Sequence, residues 1–281
     1  VPHSSGGDET LFNEAVFQLT PVWLIFFFVL GAILGSFANV AILRFQSNES
    51  VVTPASRCPK CQAPILWRDK IPLLSWFLLR GQCRACKAPI SKRYVVVEFL
   101  TAVLFCATFA KVGWSWTLLE LLIFFSGLVI VSFIDLDTFL LPDKYTLPGM
   151  VIGLAGAALS PDRSFLDSVL GLVFGGGFLW AVAYFYYVLR KEEGMGGGDI
   201  KLLGWIGAVL GWQSIAFTII AASLVGSVIG LLAASRDNKG MKTVIPFGPS
   251  LAFGAVLYVL AGQNISELYN QFFFPYLSMT P

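Results

Sequence analysis

Residues 22–43 read VWLIFFFVLGAILGSFANVAIL, an apolar stretch closed by Arg44. About 20 apolar residues in a row cross the hydrocarbon of a bilayer as a helix. Further apolar runs lie near 94–112, 116–134, 145–160, 166–189, 200–212, 214–234 and 247–262. That makes eight, of which the sixth is short and its boundary with the seventh open. A soluble globule needs about a quarter of its residues charged, yet here 13% are charged and 56% apolar. A soluble enzyme and a disordered chain are thereby excluded. The net charge of +2 excludes a nucleic-acid binder that relies on bulk basicity. The period-two alternation of a membrane barrel is lacking, so the pattern predicts an all-α polytopic membrane protein of about eight transmembrane helices.

With eight spans, seventeen of the nineteen Lys and Arg residues fall in alternate loops on one side, leaving only Lys111 and Arg163 on the other. Basic loops stay in the cytoplasm. Both termini are therefore expected outside, in the periplasm. The first span is long and no basic segment precedes it, so no cleavable leader is expected. The opening VPHSSGG reads in part as an added segment, and its His3 is the only histidine. Histidine chemistry is thus not expected.

The basic loop at 44–93 carries four of the five cysteines, as Cys58-Pro-Lys-Cys61 and Cys83-Arg-Ala-Cys86 inside the near-repeats CPKCQAPI and CRACKAPI. Each Cys-x-x-Cys turn can aim two thiolates at one ion, and two such turns complete a tetrahedral shell of four sulfurs. Structural Zn²⁺ is expected, with iron open on the same ligands. Disulfides fit poorly in a reducing compartment, and four sulfurs leave no open position for catalysis. Cys106 lies in an apolar run and reads as packing.

Carboxylates beside apolar spans are costly and invite a functional reading. Asp135 ends the third run in SFIDLDTFLLPD, followed by Asp137 and Asp143; Asp199 follows the glycines Gly196, Gly197 and Gly198 in GMGGGDIKLL. The charge pattern puts both segments at the cytoplasmic face. Two carboxyls brought together share one proton, so that one activates water while the other polarises a carbonyl. The glycines permit close backbone approach; alternatively they form an interfacial turn with Asp199 an ordinary helix cap. A phosphate loop is disfavoured because the rest of that pattern is missing. Asp135 ends one helix and Asp199 begins another, so the helix dipole predicts that Asp199 is ionised and Asp135 holds the proton.

The ordered set GSFANVAILR (35–44), the double Cys-x-x-Cys loop, IPLLSWFLLRGQCRAC (71–86), ISKRYVVVEFLTA (90–102), IDLDTFLLPD (134–143), GMGGGDIKLLGWIGAVLGW (194–212) and IPFGPSLAFG (245–254) resembles the type IV prepilin peptidases, membrane aspartic proteases of the GxGD type. Gly197 fills a position often larger in that family, and Lys70 one often neutral. The resemblance implies catalytic residues at Asp135 and Asp199, with Asp137 or Asp143 as alternatives to the first. It implies prepilin or pseudopilin substrates cut at the inner face of a bacterial inner membrane. It also implies N-methylation of the new terminus with S-adenosylmethionine, for which no binding residues are identified.

The resulting division is 1–21 extracytoplasmic segment, 22–43 first transmembrane helix, 44–93 cytoplasmic zinc-binding domain, 94–262 seven-helix membrane catalytic core and 263–281 extracytoplasmic tail. Glu98 is a candidate for recognising substrate charge or a buried structural partner. Pro246, Gly248 and Pro249 are candidates for holding extended substrate or simply a helix start. Membrane lipid is an expected partner and nucleic acid is not. The rival class is a non-enzymatic scaffold or transporter with a structural zinc loop; a transporter normally places polar groups near mid-bilayer, and here the acids gather at one face.

Overall fold

The structure, a computed structural model, describes residues 6–47, 49–50, 56–160, 163–192, 196–236 and 246–262, with the side chains of 6–19 and Arg236 left aside. All eight apolar runs are helical. They form α1 (Gly6–Gln46), α3 (Arg93–Val112), α4 (Trp116–Thr138), α5 (Asp143–Leu159), α6 (Phe165–Arg190), α7 (Gly197–Leu210), α8 (Gln213–Arg236) and α9 (Gly248–Leu257), the last extended by a π turn over Tyr258–Gly262. The remaining helix, α2 (Leu74–Leu78), is a single turn in the cysteine loop. Five segments are long and apolar enough to cross a membrane: Thr20–Gln46 of α1, α3, α4, α6 and Gln213–Ser235 of α8. Among the described residues the eight expected spans are thus matched by five of full length, with α5, α7 and α9 shorter at 17, 14 and 10 residues. Among the described residues β-structure is limited to isolated bridges.

The open boundary between the sixth and seventh runs falls at Gly211, whose φ of +80° ends α7 and which favours glycine. The chain divides into two compact units, one of residues 1–39 and 52–113, the other of 40–51 and 114–281.

In the first unit α1 packs on α3 through Gly31 and Gly35. A Cβ at Gly31 would come within 2.7 Å of the Ala102 Cα, and one at Gly35 within 2.7 Å of the Glu98 Cα. This is the small-xxx-small contact by which apolar helices approach in lipid. Phe27 and Phe109 stack at 4.6 Å, and Asn39 Nδ2 donates to the Tyr94 carbonyl at 3.0 Å.

The second unit repeats the device. Gly171 of α6 and Gly207 of α7 face each other so closely that a Cβ on either would overlap the other's carbonyl. Trp205 of α7 wedges between Gly127 of α4 and Gly149 of α5 and meets Phe124 edge-on at 5.4 Å. An ion pair the sequence reading passed over closes one end. Arg163 NH2 donates to Glu120 Oε1 at 2.7 Å and to the Gly153 carbonyl at 2.9 Å, and its NH1 donates to the Val209 carbonyl. A pocket lined by Glu120, Phe124, Tyr145, Gly149 and Trp205 runs along α4, α5 and α7; neither Asp135 nor Asp199 lines it.

Candidate active site

α4 stops just past Asp135. Phe139 takes the left-handed conformation (φ +54°) and its N–H returns to the Asp135 carbonyl at 2.9 Å, leaving Asp135 in the last turn. The side chain is 4% exposed. The other two acids of the same motif are exposed and engaged elsewhere: Asp137 accepts from Gln46 Nε2, and Asp143 accepts from Lys201 Nζ at 2.6 Å. Asp135 thus differs from both in burial and partner; Asp137, two residues on along the same helix, faces another way.

Its partner comes from α9. Asp135 Oδ2 accepts the Gly248 main-chain N–H at 3.0 Å. Gly248 opens α9, so this is one of the free N–H groups of a helix start, carrying the positive end of the helix dipole. A Cβ at Gly248 would lie 2.7 Å from Asp135 Oδ2, so any larger residue has to push that carboxylate away. Pro249 sits in the first turn, where its missing N–H costs nothing. The Gly248 N–H is thus engaged by Asp135, and Gly248 and Pro249 open α9 with Pro246 just ahead of it.

Leu141 links the two aspartate segments: its Cδ2 lies 3.2 Å from a Cβ built at Gly248, and its Cβ 2.7 Å from one built at Gly198. Gly196 and Gly197 have open space where a Cβ would be, and α7 begins at Gly197 with Asp199 in its first turn, ahead of the apolar 200–212 run. Burial, and after it the negative charge of Asp135, push the Asp199 carboxyl up to about 7. The two acids are thus near enough to oppose each other's ionisation, with a main-chain donor on one of them. The dipole of α4 is not the only one that acts on Asp135. The C-terminal end of α4 disfavours charge on Asp135, but the N-terminal end of α9 points at the same carboxylate and favours it.

Glu98 belongs to the first unit. It is 7% exposed, accepts the Leu73 N–H at 2.7 Å and bonds Ser36. These are structural partners.

In the cysteine loop the sequence repeat becomes a backbone repeat. Cys58 N–H bonds the Ala63 carbonyl and Cys83 N–H the Ala88 carbonyl; Gln62 and Lys87 both take φ of 58°; Arg57 bridges Pro64 as Gln82 bridges Pro89. The four Sγ atoms lie within 4.8 Å of one another, and Cys58 and Cys86 are 3.9 Å apart. Sulfurs around a tetrahedral zinc at about 2.3 Å stand about 3.8 Å apart, so the donor set fits the ion. Main-chain N–H groups of Cys61 and Lys60 lower the Cys58 thiol to about 6, toward the thiolate a metal needs. Asp69, held by a two-pronged bond from Arg84, fastens the segment before α2 to the second knuckle.

Comparison with known proteins agrees with this two-part layout. Residues 29–112 match the model of the bacterial peptidase A24 N-terminal domain, and residues 122–231 match that of the type IV leader peptidase family. Among curated relatives, a prepilin leader peptidase/N-methyltransferase of Aeromonas hydrophila is 38% identical, covering 88% of this chain and 94% of the relative. One of Pseudomonas aeruginosa is 36% identical over 87% and 92%, respectively. One of Myxococcus xanthus is 41% identical over 75% of this chain, which spans 63% of that relative's length. No solved structure matches. Matched in both units and similar to such relatives along most of its length, the chain belongs to the type IV leader peptidase family.

Proposed function

We propose that this chain is an aspartic endopeptidase of a bacterial inner membrane. It removes the leader of type IV prepilins and pseudopilins and N-methylates the new terminus. The single observation that carries the peptidase reading is the placement of Asp135, buried against the start of α9, within electrostatic reach of Asp199. Two acids that oppose each other's charge hold one proton between them near neutral pH. Asp135, steadied as an anion by the Gly248 N–H, takes a proton from water, and the resulting hydroxide attacks the scissile carbonyl. Asp199, protonated, donates to the carbonyl oxygen. As the tetrahedral intermediate collapses, the C–N bond breaks, the amine leaves with the proton gathered by Asp135, and the carbonyl oxygen returns its proton to Asp199. The water thereby ends divided between the new carboxyl and the new amine.

The bias of basic loops supports placing both aspartates, and the cysteine loop, on the cytoplasmic side. That is where the basic leader of such a substrate would meet them. The spacing of Cys58, Cys61, Cys83 and Cys86 supports a structural zinc. S-adenosylmethionine would supply the methyl group; this activity rests on the relatives' names.

Incubating the detergent-solubilised protein with a prepilin, beside Asp135→Ala and Asp199→Ala, tests the reading. Cleavage is expected only from the unaltered chain. Processing by both variants would return the protein to the scaffold class or to another pair of acids.

A further inference from the structure

Along 67–78 the cysteine loop exposes an apolar ridge of Trp67, Ile71, Leu74, Phe77 and Leu78, with Trp67 at 81% and Leu78 at 72%. A water-facing loop has no reason to carry so much contiguous apolar surface. Arg68, Lys70 and Arg80 border the ridge and are themselves exposed. An aromatic and aliphatic face edged by cations is how a segment lies in a membrane interface.

One bond ties this ridge to the first unit's own membrane helix, and another ties it to the second cysteine knuckle. Leu73 N–H donates to Glu98 Oε2 at 2.7 Å. Glu98 lies five residues beyond Arg93, the first residue of α3, which at about 1.5 Å per residue is about 7 Å along the helix. Amphipathic segments bury their apolar face by about 5–10 Å at the headgroup boundary, which matches the reach of Leu73 along α3 if Arg93 stands at the headgroup level. Leu73 itself takes φ +61°, ψ −57°, the centre of a tight turn in which Leu74 N–H meets the Pro72 carbonyl at 2.6 Å. Such a conformation persists where the surroundings over-determine it. Trp76 Nε1 bonds the Ile90 carbonyl at 3.3 Å and its ring covers Gly81, so the ridge is fastened to the second knuckle as well.

Charge identifies the occupant. Residues 44–93 contain ten Lys and Arg against Glu49 and Asp69 alone, and Asp69 is already paired with Arg84. We propose that the cysteine loop is an interfacial platform whose ridge, from Trp67 to Leu78, inserts into an anionic lipid leaflet, with Arg68, Lys70 and Arg80 on the phosphates. A zinc at the four cysteines would stiffen the loop that carries the ridge. The inference does not depend on the peptidase reading.

The test is depth measurement by spin label in nanodiscs, on full-length protein with Cys106→Ser and one of Phe77→Cys, Leu78→Cys or, as the aqueous reference, Arg57→Cys. Metal content and prepilin cleavage verify that each labelled chain is folded. Labels at 77 and 78 are expected to favour lipid-soluble oxygen over a water-soluble nickel chelate several-fold more than the label at 57. That ratio should rise further when zwitterionic lipid is replaced by phosphatidylglycerol. Water-like accessibility at 77 and 78 overturns the proposal, and so does a ratio indifferent to lipid charge. Dipolar broadening relieved by unlabelled protein would assign the ridge to a second copy. Burial appearing only on adding a prepilin would assign it to a protein partner. Either of these last results also overturns it.

Discussion

The main-chain N–H of Gly248 donates to Oδ2 of Asp135 at 3.0 Å, joining residues 113 positions apart. The contact places the start of one helix against the last turn of another and gives the Asp135 carboxylate a main-chain donor. A hydrogen bond to an ionised acceptor contributes about 1.5–3 kcal/mol, and the end of a helix dipole adds to it.

Gly248→Ala puts a Cβ 2.7 Å from that oxygen and forces the pair apart. Loss of the bond is expected to cost about 1.5 kcal/mol or more, a drop of at least about tenfold in kcat/KM. The acid limb of the pH–rate profile should move to higher pH, since Asp135 then protonates more readily. Zinc content should be unchanged. Steady-state kinetics over a pH series check this.

The three acids of the 134–143 segment should separate cleanly. Asp135→Asn is expected to abolish prepilin cleavage. Asp137→Asn, which alters an exposed side chain that accepts from Gln46, should stay within a few-fold of the unaltered enzyme. Asp143→Asn breaks an exposed pair with Lys201, and such pairs contribute about 1 kcal/mol at most. Gel-shift processing assays on the three variants distinguish them.

With the Asp199 carboxyl pushed up to about 7, the proton-donating form of the pair exists below that pH and is lost above it. Cleavage should therefore decline through the neutral-to-alkaline range. At acid pH a second limb follows protonation of Asp135. A kcat/KM profile flat from neutral to alkaline pH would contradict the shared-proton mechanism.

The four-cysteine cluster should hold about one equivalent of zinc per chain. Cys58→Ser or Cys83→Ser should release it and destabilise the first unit. Elemental analysis, with thiol titration before and after chelation, measures both. Thiols already reactive in the native, metal-replete protein would refute a site built from all four sulfurs.

Arg163→Ala leaves the Glu120 carboxylate, 9% exposed, without its cation. Removing one partner of a buried pair destabilises by about 3–5 kcal/mol. Adding Glu120→Gln to Arg163→Ala should recover part of that loss, as thermal unfolding in detergent would read.

The helical class, the eight apolar runs and the cysteine site were legible in the sequence because each depends on local pattern. Apolar length marks a bilayer-scale helix, and CPKCQAPI followed by CRACKAPI writes the same turn twice. Span number was less legible. Composition marks a segment as buried in an apolar medium, but α5, α7 and α9 owe their short length to caps and to packing against neighbours. Glu120 and Arg163 gave a faint signal, a charge at each edge of an apolar stretch, whose meaning required knowing that they meet.

Local pattern along the chain was enough for the inventory: apolar helices, four thiols at metal spacing, and acids near the ends of apolar runs. How those acids differ depends on contacts between distant segments. Asp135, Asp137 and Asp143 belong to one short motif, yet one is buried on a helix start, one meets a glutamine and one pairs with a lysine. The chain's own order shows only the α4 dipole acting on Asp135; a helix start from more than a hundred residues away brings the opposite dipole end to the same carboxylate, because electrostatic fields add in space regardless of where along the polypeptide they originate.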